Sequence, residues 1–171
     1  MPGWLPVWMF HFAQWLDQTS FGHVMRESLY LFPIVETLHV FGIVALVTSA
    51  FLLDLRLFGI GPMRDKPVEA LARWILPWVC AGFAVQVVTG VLMFSAEATR
   101  SAVNSFFWYK MVLLLGVAIN ALVFHTTVYQ QVGKWNNARV APIGARIYGT
   151  LSIFLWLGII TLGRWFSFHL T

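Results

Sequence analysis

The chain has 171 residues, of which 59% are hydrophobic and only 11% charged, with a net charge of +4. A soluble domain carries roughly 25% charged residues and could not hide so much apolar surface, whereas a chain dissolved in lipid need not hide it. The basic residues are scattered between apolar stretches, so they read as membrane orientation and not as nucleic-acid binding, and the single Cys80 excludes an internal disulfide or multi-cysteine cluster.

The N-terminal segment lacks a basic n-region, and His11, Gln14 and Asp17 interrupt its apolar run. It is therefore not read as a secretory signal; the first true span is expected to serve as an uncleaved targeting signal. Between Trp4 and Gln18, Trp4, Trp8, Phe12 and Trp15 recur at helical spacing opposite a polar face of His11, Gln14 and Gln18. This predicts an interfacial amphipathic helix with its Trp rings at headgroup level. The following Gln18–Gly22 is turn-like, so residues 1–22 form one unit and 23–171 the transmembrane domain.

Within that domain, Thr37–Leu53, Trp74–Ala96, Met111–Gly133 and Ile147–Gly163 contain no Asp, Glu, Lys or Arg. With its flanks, each supplies the roughly 20 residues a helix needs to cross about 30 Å of hydrocarbon. Helices are predicted near 29–54, 72–96, 105–130 and 147–169. The connections are short, so neighbours run antiparallel, and the fold class is an all-α, integral membrane, up-down four-helix bundle. Gly59-Ile60-Gly61 before Pro62 reads as the C-cap and turn that closes the first span. Cys80, mid-span between Trp78 and Phe83, reads as ordinary packing.

Lys and Arg set the orientation. Arg56, Arg64, Lys66 and Arg73 in the first connection, with Lys134, Arg139 and Arg146 in the third, outnumber Arg26, Arg100 and Arg164 on the opposite side. Connections one and three are therefore expected in the cytoplasm and both termini in the periplasm. With that folding, most ionisable groups of the spans fall in the outer half. Glu36 and His39 lie on one face of the first span, Lys110 begins the third, and Glu97, Arg164 and His169 come from the ends of the second and fourth. Gln86, Met93 and Glu97 share a sector of the second helix. An externally open polar pocket is the expectation, with the inner half mostly apolar. A charge at mid-bilayer costs from about 2.5 kcal/mol upward, so such groups often mark function. The plainer readings are snorkelling for Lys110, Glu97 and Arg164 and interhelical hydrogen bonds for Gln86 and Asn120. Asp54 and Arg56 read as a structural ion pair.

Histidines inside a four-helix bundle suggest b-type haem. His39 and His125 differ in depth by roughly 15–20 Å at 1.5 Å per residue, too far to clamp one iron, so two stacked bis-His haems are disfavoured. One haem b in the outer half remains, with His39 paired to His169 or His23. A quinone is an alternative occupant. Copper is a lesser one, since Met9 with His11 and His23 with Met25 place thioethers near imidazoles, although residues two apart on a helix point in different directions. No phosphate-binding Gly loop, His-Glu-x-x-His or nucleophile elbow is present.

The segment Arg26-Glu27-Ser28-Leu29-Tyr30-Leu31-Phe32-Pro33-Ile34-Val35-Glu36-Thr37-Leu38-His39, followed by Asp54-Leu55-Arg56-Leu57-Phe58-Gly59, resembles an uncharacterised family of small bacterial inner-membrane proteins. Phe107–Lys110, Asn120 with His125, and Gly163-Arg164-Trp165 are similar too. The resemblance implies a bacterial inner membrane and four spans; it brings no activity, and likeness to cytochrome b bundles is architectural only. The leading expectation is a small electron-transfer subunit binding one haem b or a quinone. His39 would be the ligand or proton-coupled residue, Glu36 would orient it, and Arg164 would answer an anionic group, with Gln86 lining the site. The rivals are a non-catalytic subunit that packs against a membrane or periplasmic partner or itself, and a transporter of protons, metal or a small solute through Glu36, His39 and Gln86.

Overall fold

A computed structural model describes residues 5–168 and is all-α. Two short helices, α1 (Val7–Asp17) and α2 (Ser20–Glu27), precede α3 (Leu31–Leu57) and α4 (Val68–Ala96). The short α5 (Ala98–Val103) leads into α6 (Ser105–Thr126), and a 3₁₀ turn at Tyr129–Lys134 precedes α7 (Ile143–Phe168). Four helices, α3, α4, α6 and α7, are long and apolar enough to cross a membrane. Even the shortest, at 22 residues, reaches about 33 Å at 1.5 Å per residue. Their ends lie within a few residues of those read from charge spacing. The short α5, the 3₁₀ turn and α2 were not expected; α2 starts inside the stretch read as a turn, and Thr19 caps it by accepting from the Gly22 N–H at 3.2 Å.

The long helices pack as two antiparallel pairs, α3 with α4 and α6 with α7, joined through α3 and α7. The pair that would close the ring, α4 and α6, hardly approaches. It meets near the end that carries the chain termini, where Phe94 stacks on Phe107 with ring centroids 5.4 Å apart. That end is called the terminal end below, and the other, formed by the first and third connections, the loop end.

The α3–α4 seam has a seven-residue period. Val35, Gly42, Ser49 and Arg56 are buried on α3, and Val68, Ile75, Gly82, Thr89 and Ala96 on α4. A period of seven keeps one stripe facing its partner when two helices cross at about 20°. Without a hydrophobic force between helices in lipid, close van der Waals approach must hold the pair. The glycines permit it. A Cβ added at Gly82 would lie 3.1 Å from the Gly42 carbonyl oxygen and from the Leu46 nitrogen, and one at Gly42 would lie 2.9 Å from Val85.

At the terminal end, α1 lies on α5, burying Leu5, Ala13, Ala98 and Ala102 together. The Asp17 carboxylate accepts from the backbone N–H groups of Ala98 at 2.8 Å and Thr99 at 3.0 Å. It thereby supplies the cap that Glu97, at the α5 N-cap position, does not. Arg26 donates to the carbonyls of Asp17 and Ala96. The opposite face of α1 exposes Trp8, Phe12 and Trp15, three members of the expected aromatic stripe, in a position that suits headgroup level; the fourth, Trp4, lies outside the described residues. At the loop end, Gly59 and Gly61 both have positive φ, 70° and 84°, which glycine adopts without strain. They terminate α3 as the sequence indicated.

Candidate functional site

His39 is half-buried on the terminal half of α3 and turned toward α4. Its Nδ1 lies 2.7 Å from Thr89 Oγ1. The Thr89 hydroxyl hydrogen is committed to the Val85 carbonyl one turn back, so Thr89 accepts and His39 Nδ1–H donates. The neutral ring consequently carries its hydrogen on Nδ1 and presents Nε2 as a bare lone pair. Gly90 lies beside the ring; a Cβ there would be 3.7 Å from His39 Cε1. Gln86 donates to the backbone carbonyl of His39. From α6, the half-buried Lys110 is close enough to act electrostatically on His39. The site is thus a base anchored by α4, with the half-buried Lys110 on α6, where α4 and α6 leave the bundle unclosed.

Of the residues expected to assemble here, the structure brings His39 and Gln86 into direct contact. Glu36 does not orient His39: it is exposed on α3, and the orienting group is Thr89. Three residues apart on one helix, Glu36 and His39 share a broad face, but only His39 is turned into the α4 seam. Glu97 pairs with Arg100 at 3.3 Å. Arg164 is exposed on α7 beside a shallow groove with Ile160, Thr161 and Trp165. His23 is exposed on α2 and contacts Glu27 at 3.0 Å. His169 lies outside the described residues. Met25 is buried against Val35 and Ala96 while His23 faces out, so that thioether and imidazole diverge. Met9 likewise packs inward on α5 and His11 is exposed. Among the described residues, no three His, Cys, Asp or Glu side chains gather as a metal site. For haem b, His39 offers a suitable nitrogen, but no described contact brings it a second histidine. Cys80 is exposed on α4.

Thr89 was missed because a lone threonine in an apolar run carries no signal by itself. The signal was its register, seven residues after Gly82 and seven before Ala96.

A second polar region lies at the loop half, where an apolar interior was expected. Arg56 is 1% exposed. Its guanidinium donates to the Lys66 carbonyl from Nε and to the Asn136 and Ala138 carbonyls from Nη2, at 3.4 and 3.1 Å. It ties together the first and third connections. Asn136 adds a cap, accepting from the Glu69 N–H at 2.9 Å at the start of α4. Asp54, also buried, does not pair with Arg56. Residues two apart on a helix point to different sides, and Asp54 faces α7, against Gly149. The expected ion pair is therefore replaced by two separate buried groups. Asn120, read as interhelical glue, does bond across helices, donating to the Tyr148 carbonyl at 3.2 Å.

Residues 12–169 match a family of unknown function, DUF6644. The chain belongs to that family. No curated protein matches it, and no solved structure does. Family membership agrees with a small multi-pass membrane protein and assigns no chemistry.

Proposed function

We propose that this family member is a small electron-transfer subunit that binds the head group of a membrane-dissolved quinol at His39. The carrying observation is the fixed tautomer: with Nδ1–H given to Thr89, Nε2 accepts a hydrogen bond, and later a proton, from a quinol hydroxyl. Lys110, half-buried on the neighbouring α6, stabilises negative charge on the head group as the proton leaves. The poorly closed α4–α6 side lets a long apolar tail remain in lipid. A quinol fits this donor set better than haem b, which would need a second axial ligand. In the same proposal the basic connections face the cytoplasm of a bacterial inner membrane, following the charge distribution.

The test is purification into lipid nanodiscs, followed by solvent extraction for quinone and by titration with a short-tailed quinol. Saturable binding is expected, lost in His39→Leu and weakened about tenfold in Lys110→Met, roughly one charged hydrogen bond. A Soret band in the purified protein would replace the quinol with haem b. Neither quinone nor pigment, with a stably co-purified protein, would make the chain a non-catalytic subunit. Flux of a solute in proteoliposomes that depends on Glu36 would make it a transporter.

A further inference from the structure

Where α2 leads into α3 and α4 into α5, the terminal end holds a cavity of about 230 Å³ whose walls include Arg26, Ser28, Leu29, Phe32, Pro33 and Glu97. α3 begins at Leu31 and α4 ends at Ala96, so the cavity lies at the edge of the apolar spans, the depth of lipid head groups. Leu29 and Tyr30 beside it are 84% and 76% exposed, an apolar and an amphipathic side chain where lipid meets water.

The polar walls keep unspent bonding capacity of both kinds. Arg26 gives Nη1 to the Ala96 carbonyl and Nη2 to the Asp17 carbonyl, which uses two of the five donors of a guanidinium. Ser28 Oγ accepts from the N–H groups of Tyr30 and Leu31 at 3.4 and 3.1 Å, and no described bond takes its own hydrogen. Pro33 has no N–H, and the Phe32 N–H makes no described bond, at a helix start that favours negative charge. Glu97, from the end of α4, is the acceptor. Its Oε1 receives Arg100 at 3.3 Å, while Oε2 has no described partner.

The neighbouring ion pairs decide the net charge of an occupant. Arg26 lies 3.8 Å from Asp17 and Arg100 lies 3.3 Å from Glu97, two cations against two anions. Glu27 is turned to His23 and is not a wall of the cavity. A balanced set leaves a ligand of net charge uncompensated, whereas a ligand with one charge of each sign fits it. A guanidinium and a hydroxyl suit a phosphate. A carboxylate oxygen suits a cation that carries N–H donors, so a primary ammonium is favoured over a quaternary one. The volume is below the roughly 300 Å³ at which drug-sized sites begin, a size for a head group with its acyl chains outside.

We propose that this cavity binds the head group of a zwitterionic phospholipid of the phosphoethanolamine type. Arg26 and Ser28 donate to its phosphate, and its ammonium donates to Glu97. The acyl chains run down past Leu31 and Ile34, both exposed on α3. The site is independent of the quinol reading at His39, and its test does not use quinone.

The experiment is native mass spectrometry of the full chain released from detergent micelles. The chain is titrated with phosphatidylethanolamine, phosphatidylcholine or phosphatidylglycerol of identical acyl chains, and thermal unfolding is read on the same samples. The expected result is one retained phosphatidylethanolamine, bound about tenfold more tightly than either other lipid, the worth of one charged hydrogen bond, with a saturable rise in Tm. Glu97→Gln removes the preference over phosphatidylcholine, and Ser28→Ala weakens phosphatidylethanolamine severalfold. If Glu97→Gln does not fold, Ser28→Ala decides alone. Equal retention of the three lipids by the wild-type protein overturns the proposal, as does a preference for phosphatidylglycerol. It is also overturned by a preference that survives Glu97→Gln, or by an affinity that Ser28→Ala leaves unchanged. Soluble phosphoethanolamine competing as tightly as the lipid overturns the lipid assignment.

Discussion

The two halves of the bundle solve the problem of polar groups in lipid in different ways. The terminal half uses neutral contacts between paired helices: His39 to Thr89 and Gln86 to a backbone carbonyl. The loop half buries charge, with Arg56 locked to three carbonyls and Asp54 against α7. The first arrangement leaves an imidazole nitrogen presentable to a ligand. The second commits a guanidinium to holding loops in place. Depth and residue type alone pointed to the terminal half as the polar one, yet the most completely buried charge lies in the other. What separates binding from bracing is how many bonds each group has already made.

Substitutions that strike the two halves unequally break or sharpen this comparison. Arg56→Met should have the largest effect, a loss of about 3 kcal/mol as charged hydrogen bonds vanish and buried carbonyls are orphaned. Denaturation in mixed detergent micelles measures it, and Arg56→Lys should recover little, because an ammonium lacks the planar fork. Gly82→Leu should follow at about 2 kcal/mol from overpacking. It should also disturb the His39 ring, seen as a shift in imidazole ¹⁵N resonances, because it pries apart the seam that holds Thr89. Asp17→Ala removes the carboxylate from the start of α5 and should lower stability by about 1.5 kcal/mol, with faster amide exchange at Ala98 and Thr99. Thr89→Val keeps the shape and should remove about 1 kcal/mol; its sharper readout is loss of the single Nδ1–H tautomer in ¹⁵N spectra. Arg73→Ala, at an exposed pair with Glu69, should change stability by less than about 0.5 kcal/mol. A Thr89→Val loss exceeding that of Arg56→Met would reverse the contrast.

Much of the architecture was readable because its signals are local. Charge-free stretches gave the four spans, Gly59 and Gly61 gave the turn after α3, and the tryptophans gave α1. The arrangement around the spans was not readable. α3 is apolar almost all round, so it has no amphipathic stripe to set its rotation. Lipid removes the polar face that a soluble helix would carry. Glu36 and His39 therefore looked like partners, and Asp54 and Arg56 looked paired, when rotation sends each to a different neighbour. The seven-residue recurrence of small residues on α4 does encode that rotation. It becomes legible only when Gly82, Thr89 and Ala96 are read together with Gly42 and Ser49.

The contact of Gly42 with Gly82 has a mechanical consequence. Two backbones that touch without intervening side chains have little soft material between them to deform, so α3 and α4 behave as a single strut. Relative motion in this molecule must then be concentrated where α4 and α6 face each other, and spin labels across that gap should report a broad distance distribution, while labels across the strut report a narrow one.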